Sequence, residues 1–195
     1  LILKLEGVRP SDTSRTPNLT GKLLLSHPAL RDPSFRRTIV FLPNYDVEGG
    51  AFGLIINRPT REVLADFLVE PPAPSPLSEV PVYTGGPVGT DELTLAAFSF
   101  SESTGIVSCQ THLTLDQAEA MKSEGGLIVR AFRGYAGWSS GQLEGEIHQH
   151  AWLVKEPEPK LITGELNEQT WVGLVSSLGP AYHLLALAPD DPSLN

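Results

Sequence analysis

Positive charge is scarce in this chain: 14 Lys and Arg stand against 23 Asp and Glu in 195 residues, a formal net charge of -9. That balance opposes a broad phosphate-binding surface, so direct nucleic-acid binding is not expected. Cysteine is scarcer still. Cys109 stands alone and cannot close an internal disulfide, and no Cys-x-x-Cys or His/Cys metal spacing occurs, which fits a reducing cytoplasm. No apolar run reaches membrane-spanning length, and no basic stretch leads an apolar signal segment, so neither a membrane span nor export is expected. Leu1 stands where an initiating Met would, so the sequence is compatible with residues upstream of it. Nucleotide-binding fingerprints are missing too. No glycine loop ends in Gly-Lys-Ser/Thr, and no Gly-x-Gly-x-x-Gly follows a strand.

What is present suits a globular chain with one substantial core: 41% of residues are hydrophobic and 19% charged. The organising stretch runs from Gly49 to Pro59, a glycine-led apolar segment ending in Asn57-Arg58-Pro59. It reads as a buried strand with a tight entry, and Pro59 keeps Arg58 out of helical geometry. Strand signals precede it at Thr20–Leu25 and at Arg37–Leu42, separated by a connector or short helix over Leu30–Arg36. Pro43–Glu48 is expected to turn the chain. More strands are expected at Val80–Thr84, Glu92–Phe98, Gly105–Cys109, Leu127–Arg133 and Ala151–Val154.

Helices carry recognisable starts. Thr60 can cap a short helix with Val63, Leu64, Phe67 and Leu68 on its buried side, and Pro71–Pro76 then forms a loop. Thr114 and Gln117 form a capping box, with Gly125-Gly126 as the stop. Leu143 and Ile147 share a face in a glycine-rich segment, predicting a short helix held by tertiary contact. Asn167 caps a last helix whose Trp171, Leu174, Val175 and Leu178 follow helical spacing up to Gly179-Pro180, and the apolar tail through Leu187 is expected to dock on the core. Interleaved strands and helices predict an α+β domain over 19–188, with a flexible arm over 1–18 and a frayed tail over 189–195.

The candidate binding residues are Asn57, Arg58, Gly85, Gly86, Tyr135 and Trp138. Asn57 and Arg58 offer fixed donors that suit a carboxylate, a phosphate or a partner carbonyl; the alternative is that Asn57 holds its own turn and Arg58 pairs with a surface acid. Gly85-Gly86-Pro87 could present amides to an anion, or serve architecture alone. Arg130 and Arg133 are expected on a solvated strand face. Cys109 and His112 lie close in sequence without defining a catalytic pair, and His27, His148, His150 and His183 form no compact metal signature, although His148 and His150 could face together on a strand. Trp138, Trp152 and Trp171 suit either a ligand platform or the core. No catalytic set, cofactor or metal is expected.

Several of these segments occur in a telling order: Gly21–Leu24, Asp32–Arg37, Gly50–Pro59, Gly85–Val88 and Gly134–Ile147. Together they resemble the bacterial YqgE/AlgH family, over roughly Leu19 to Tyr182. The resemblance implies a single complex α+β domain with a curved mixed, barrel-like sheet and flanking helices. It also implies an association with transcriptional regulation of alginate synthesis, but no catalytic residues to carry over and no helix-turn-helix is evident here. The function expected first is a cytoplasmic regulatory protein that binds an unidentified protein or a small anionic ligand. The alternatives are an enzyme using Cys109 or Arg58 on an anionic substrate, and a scaffold or oligomerisation module.

Overall fold

The long apolar run from Leu127 onward forms β8 (Ile128–Trp138), and the rest of the sheet is assembled on it. In the computed structural model, which describes residues 18–68, 75–101 and 103–188, this strand has three partners. Its first part pairs antiparallel with β6 (Val88–Phe100), from Phe98↔Ile128 to Leu93↔Arg133, and parallel with β5 (Pro81–Thr84), from Val82↔Ala131 to Thr84↔Arg133. Beyond Gly134 it pairs antiparallel with β3 (Gly50–Ile55), from Gly53↔Ala136 to Ala51↔Trp138. A single strand thereby joins what would otherwise be two sheets.

From β3 the sheet continues through β2 (Ile39–Asp46), β1 (Leu23–Ser26) and β9 (Trp152–Lys155), while β4 (Pro59–Val63) edges β5 and β7 (Val107–Gln110) edges β6. Among the described residues all nine strands belong to one mixed sheet, in which β5 against β8 is the parallel pair. Register shifts interrupt the β2–β3, β4–β5 and β6–β8 ladders, and such irregularities bend strands and increase their twist. The result is the curved mixed sheet with flanking helices that the α+β expectation described.

Both faces of the central strands are covered, which is why β1 and the first half of β2 are apolar without a break. Leu23, Leu25, Ile39, Phe41 and Leu54 face the larger cluster, which α3 (Pro159–Thr163), α4 (Glu168–Ser176) and α5 (Pro180–Leu187) supply with Leu161, Trp171, Val175 and Ala186. Their neighbours Leu24, Val40, Leu42 and Ile55 point the other way, to Trp138, Trp152 and Leu143 of α2 (Gln142–His148). A third cluster gathers Val82, Leu95, Val129 and Ala131 under Ala118 of α1 (Leu115–Glu124).

Local signals behave as their chemistry demands. Thr114 accepts from Gln117 N–H while the Gln117 side chain accepts from Thr114 N–H, and Asn167 accepts from Thr170 N–H at the start of α4. Gly50 sits at φ +89, and a Cβ there would lie 2.1 Å from the carbonyl oxygen of Trp138, so only glycine brings β3 against the end of β8.

Four expectations are corrected. The helix expected after Thr60 is strand β4 followed by a single 3-10 turn over Leu64–Phe67: Thr60 Oγ1 donates to Val82 O at 2.9 Å, and pairing with β5 overrides the cap. β2 runs through Pro43 as far as Asp46 instead of turning at 43, which a bulge between Phe41 and Asn44 permits. His148 ends α2 and His150 follows it at φ +59, so the two do not share a strand. The helix capped by Asn167 is not the last: α5 follows it, started by Pro180 at its first position, and its Ala186 docks in the larger cluster as expected. The arm expected over 1–18, apart from its last residue, lies outside the described residues, as do Pro71–Pro74 and the tail over 189–195.

Candidate functional site

Asn57 and Arg58 follow β3, and together they clamp the loop that precedes β2. Asn57 is 3% exposed. Its Oδ1 accepts from Ile39 N–H at 2.8 Å, and its Nδ2 donates to Arg37 O at 3.0 Å and Asn167 O at 3.4 Å. Arg58 donates from Nη1 to Ser34 O at 2.9 Å, and from Nη2 to Pro33 O at 3.1 Å and Arg36 O at 2.9 Å. Its hydrogen-bond partners are carbonyls, not the surface acid considered from sequence. Burial, and then the neighbouring charge of Arg36, lower the Arg58 pKa from its ordinary value, with Glu168 and Asp32 opposing. The guanidinium is therefore a fixed cation held in place by backbone.

The clamped loop returns the favour by presenting two further arginines. Arg37 adopts φ +54, a left-handed conformation uncommon outside glycine. Its side chain pairs with Glu168 at the start of α4, donates to Ala188 O at 3.0 Å, and lies 5.9 Å over the ring of Trp171. Arg36, Arg37, Asn57, Arg58, Pro59, Asn167 and Glu168 line an open cleft of about 460 Å³. Arg36 and Arg37 also border a neighbouring depression of about 290 Å³ that Leu30, Arg31, Trp171 and Leu185 complete. Three arginines and the N-terminal end of α4 thus line one concavity of an otherwise acidic protein. Such a surface can orient a carboxylate or phosphate by paired, charge-assisted donors.

The other four candidates lie elsewhere. Gly85 and Gly86 form the seam where β5, β3 and β8 meet: Gly85 N–H donates to Arg133 O at 2.8 Å and Gly85 O accepts from Ile55 N–H at 2.8 Å. A Cβ on Gly86 would fall 2.1 Å from the Tyr135 carbonyl carbon. The amide of Gly85 is thus committed to the sheet. Tyr135 lies 5.2 Å from the Phe52 ring on the face of the larger cluster. Trp138 is on the opposite face, near-parallel to Phe35 at 6.3 Å. The structure brings Asn57 and Arg58 into one cleft and leaves Gly85, Gly86, Tyr135 and Trp138 outside its lining.

Catalytic groups do not converge among the described residues. Burial pushes the half-buried Cys109 thiol up to about 12, against the opposing pull of Arg130, so the nucleophilic thiolate is disfavoured. His112 instead contacts Thr111 Oγ1 at 3.1 Å and lies 5.3 Å from the Phe52 ring. No group of three or more His, Cys, Asp or Glu among the described residues could hold a metal. None of the described helices is long and apolar enough to cross a membrane.

Comparison with known proteins fits this geometry. The model of the AlgH-like family matches residues 23–183. The chain belongs to the AlgH-like family. Among AlgH-like relatives, a UPF0301 protein of Streptomyces coelicolor is 34% identical over 95% of this chain and 100% of its own length, and one of Ralstonia nicotianae is 37% identical over 83% and 89%. The solution structure of the AlgH protein from Pseudomonas aeruginosa superposes with a TM-score of 0.61 at 26% identity, covering 95% of this chain and 98% of that one. A Corynebacterium diphtheriae protein shares the fold, with a TM-score of 0.64 at 19% identity over 89% of this chain and 94% of its own.

Sequence reasoning passed over Arg36, Arg37, Asn167 and Glu168 as site residues. A signal existed: an Arg-Arg doublet in a chain short of cations, directly before a buried strand. It also misplaced Arg130. Arg133 is partly exposed and pairs with Glu62 at 3.3 Å, but Arg130 is 3% exposed. Residues three apart on a strand point to opposite faces, so the two could never share a solvated one.

Proposed function

We propose that this AlgH-like protein is a cytoplasmic binding protein whose arginine-lined cleft receives a small anionic ligand, with a regulatory output and no bond-making chemistry of its own. Any effect on transcription is then indirect, exerted through the ligand or a protein partner, since a chain of net charge -9 lacks the broad basic surface that duplex DNA requires. The observation that carries this reading is the Arg58 guanidinium. It is fixed by three carbonyls in the wall of an open cleft shared with Arg36 and Arg37. Donors held before the ligand arrives lose little freedom on binding. The raised Cys109 thiol favours binding over covalent catalysis.

The test is a titration of the isotope-labelled chain with succinate, followed by NMR at the amides of Arg36, Arg37, Arg58 and Glu168. Saturable shifts are expected, and Arg36→Ala, which leaves the Arg36 carbonyl in place for Arg58, should weaken binding about tenfold by removing one charge-assisted contact. Equal affinity in Arg36→Ala, or no saturable shift at these amides, overturns the proposal.

A further inference from the structure

Four polar or charged residues are buried among those described: Ser26, Thr38, Asn57 and Arg130. Arg130 alone carries a charge. Ser26 Oγ accepts from Thr38 N–H, Thr38 Oγ1 donates to Phe35 O, and Asn57 bonds on both sides of its amide. Arg130 is different. Its Nη2 donates to Ile162 O at 2.6 Å and Gly164 O at 2.8 Å, but Nη1 is sealed from solvent and has no hydrogen-bond partner. The guanidinium lies between the rings of Tyr83, at 5.2 Å, and Phe98, at 5.6 Å.

Its charge is uncompensated as well. Among the described residues no Asp or Glu pairs with it. The groups that favour its charged form are Tyr83 and Cys109, and the Cys109 thiol is pushed up to about 12, so it stays neutral near pH 7. Burial accordingly lowers the Arg130 pKa from its ordinary value. Two carbonyls and two ring faces solvate this cation in part, and neither supplies a counter-charge. Buried charges in proteins are ordinarily paired, and leaving one unpaired is among the costliest arrangements a core can hold. Where it persists, a binding role accounts for the cost.

A cavity of about 250 Å³ adjoins this residue. Arg130, Tyr83, Thr163, Gly164 and Glu165 are among the residues that line it, and Lys122 supplies a second cation. We propose that this cavity binds a small oxyanion, a carboxylate or phosphate group, drawn by the uncompensated charge of Arg130 in its wall and by Lys122 as its second cation. A water molecule cannot answer a buried charge, and an anion does. Glu165 on the same wall opposes large polyanions, which keeps the ligand to a single charged group. The site is distinct from the Arg36–Arg37–Arg58 cleft and does not depend on it. The two are nevertheless joined by one segment, because Arg130 holds Ile162 and Gly164 while Asn57 reaches Asn167 and Arg37 pairs with Glu168.

The test uses the full chain, labelled with nitrogen-15, titrated separately with inorganic phosphate and with acetate at neutral pH. The readouts are the Arg130 side-chain N–H signals and the amides of Thr163, Gly164 and Glu165. At least one of the two anions should give saturable shifts there, and the stronger arm distinguishes a phosphate from a carboxylate ligand. Lys122→Gln, on the half-buried face of α1, should weaken that binding about tenfold, as expected for loss of one charge-assisted partner. Arg130→Gln retains a donor for the two carbonyls and should abolish the response; if that variant fails to fold, Lys122→Gln decides by itself. Absence of saturable shifts with both anions, or shifts of undiminished affinity in Lys122→Gln, overturns the proposal. The succinate response at Arg36 and Glu168 is read from separate amides, so either site can fail alone.

Discussion

Trp138 and Trp152 donate their indole N–H groups to the same atom, Oε2 of Glu146, at 2.8 and 2.7 Å. The rings meet edge to face at 5.9 Å, and Phe35 packs on both. Glu146 lies on α2, so this shared acceptor fastens a short, glycine-containing helix to the ends of β8 and β9. A helix of seven residues is too short to stand on propensity alone, and the carboxylate supplies part of what holds it.

Replacing that carboxylate should therefore cost more than a surface change. Glu146→Ala orphans two indole N–H groups whose rings are nearly buried, and at about 1–3 kcal/mol for each unsatisfied donor the loss should exceed about 2 kcal/mol. Glu146→Gln keeps one carbonyl oxygen and should cost less. Urea unfolding followed by tryptophan fluorescence separates the two; equal stability of Glu146→Ala and the parent chain would contradict the structure.

Asn57→Ala should destabilise by about 1–3 kcal/mol, because the buried N–H of Ile39 and the carbonyl of Arg37 both lose their partner. The loss should be concentrated at the loop before β2. Hydrogen exchange is the check, with faster exchange expected at Ile39 and its neighbours than in β6.

Gly86→Ala should be among the most damaging of single-methyl additions. The new Cβ would stand 2.1 Å from the Tyr135 carbonyl carbon and 2.4 Å from Ala136 N, and backbone cannot move aside as a side chain can. A cost of about 3 kcal/mol is expected, at the upper end for overpacking. Gly145→Ala is the control, since nothing lies within 4 Å of its added carbon. Thermal melts of the two variants should differ clearly, and matching melts would refute the tight seam.

Alkaline pH should unfold this protein through two acids that burial keeps protonated. Tyr45 rises from 10.0 to about 12, first by burial and then by donating to Glu144 at 2.5 Å; Cys109 rises from 9.0 to about 12, by burial. In both cases the folded chain holds its proton more tightly than the unfolded chain. Stability is thus fully present below about pH 9 and falls as pH climbs toward 12. Denaturant midpoints measured from pH 8 to 11 should decline, with Tyr45→Phe flattening part of the slope. At pH 8 Cys109 should alkylate far more slowly than a free thiol, and rapid labelling of the folded chain would show the thiol to be accessible and reactive.

Much of the architecture was legible because it is local. The capping box at Thr114, the Asn167 cap, and the apolar runs through Leu23–Leu25 and Ile39–Leu42 depend on residues within a turn or a strand of one another. The failures share a cause. Thr60 looked like a cap until β5 offered its own backbone partner, and Pro43 looked like a stop until a bulge carried β2 past it. Pairing across the sheet outbid a local preference in each case.

By itself the sequence determined an α+β chain of acidic charge, a family resemblance, most of the strands and most helix starts, and it marked the outlet of the Gly49–Pro59 run as a candidate. Period and capping are written in neighbouring residues, so they survive without a structure. Tertiary structure alone decided what that outlet does. It turned Asn57 inward to hold a loop, fixed Arg58 on three carbonyls, brought Arg36 and Arg37 beside it, and sank Arg130 between two rings without a counter-charge. Those relations join residues far apart in the chain, and burial and charge pairing exist only once the chain has closed on itself.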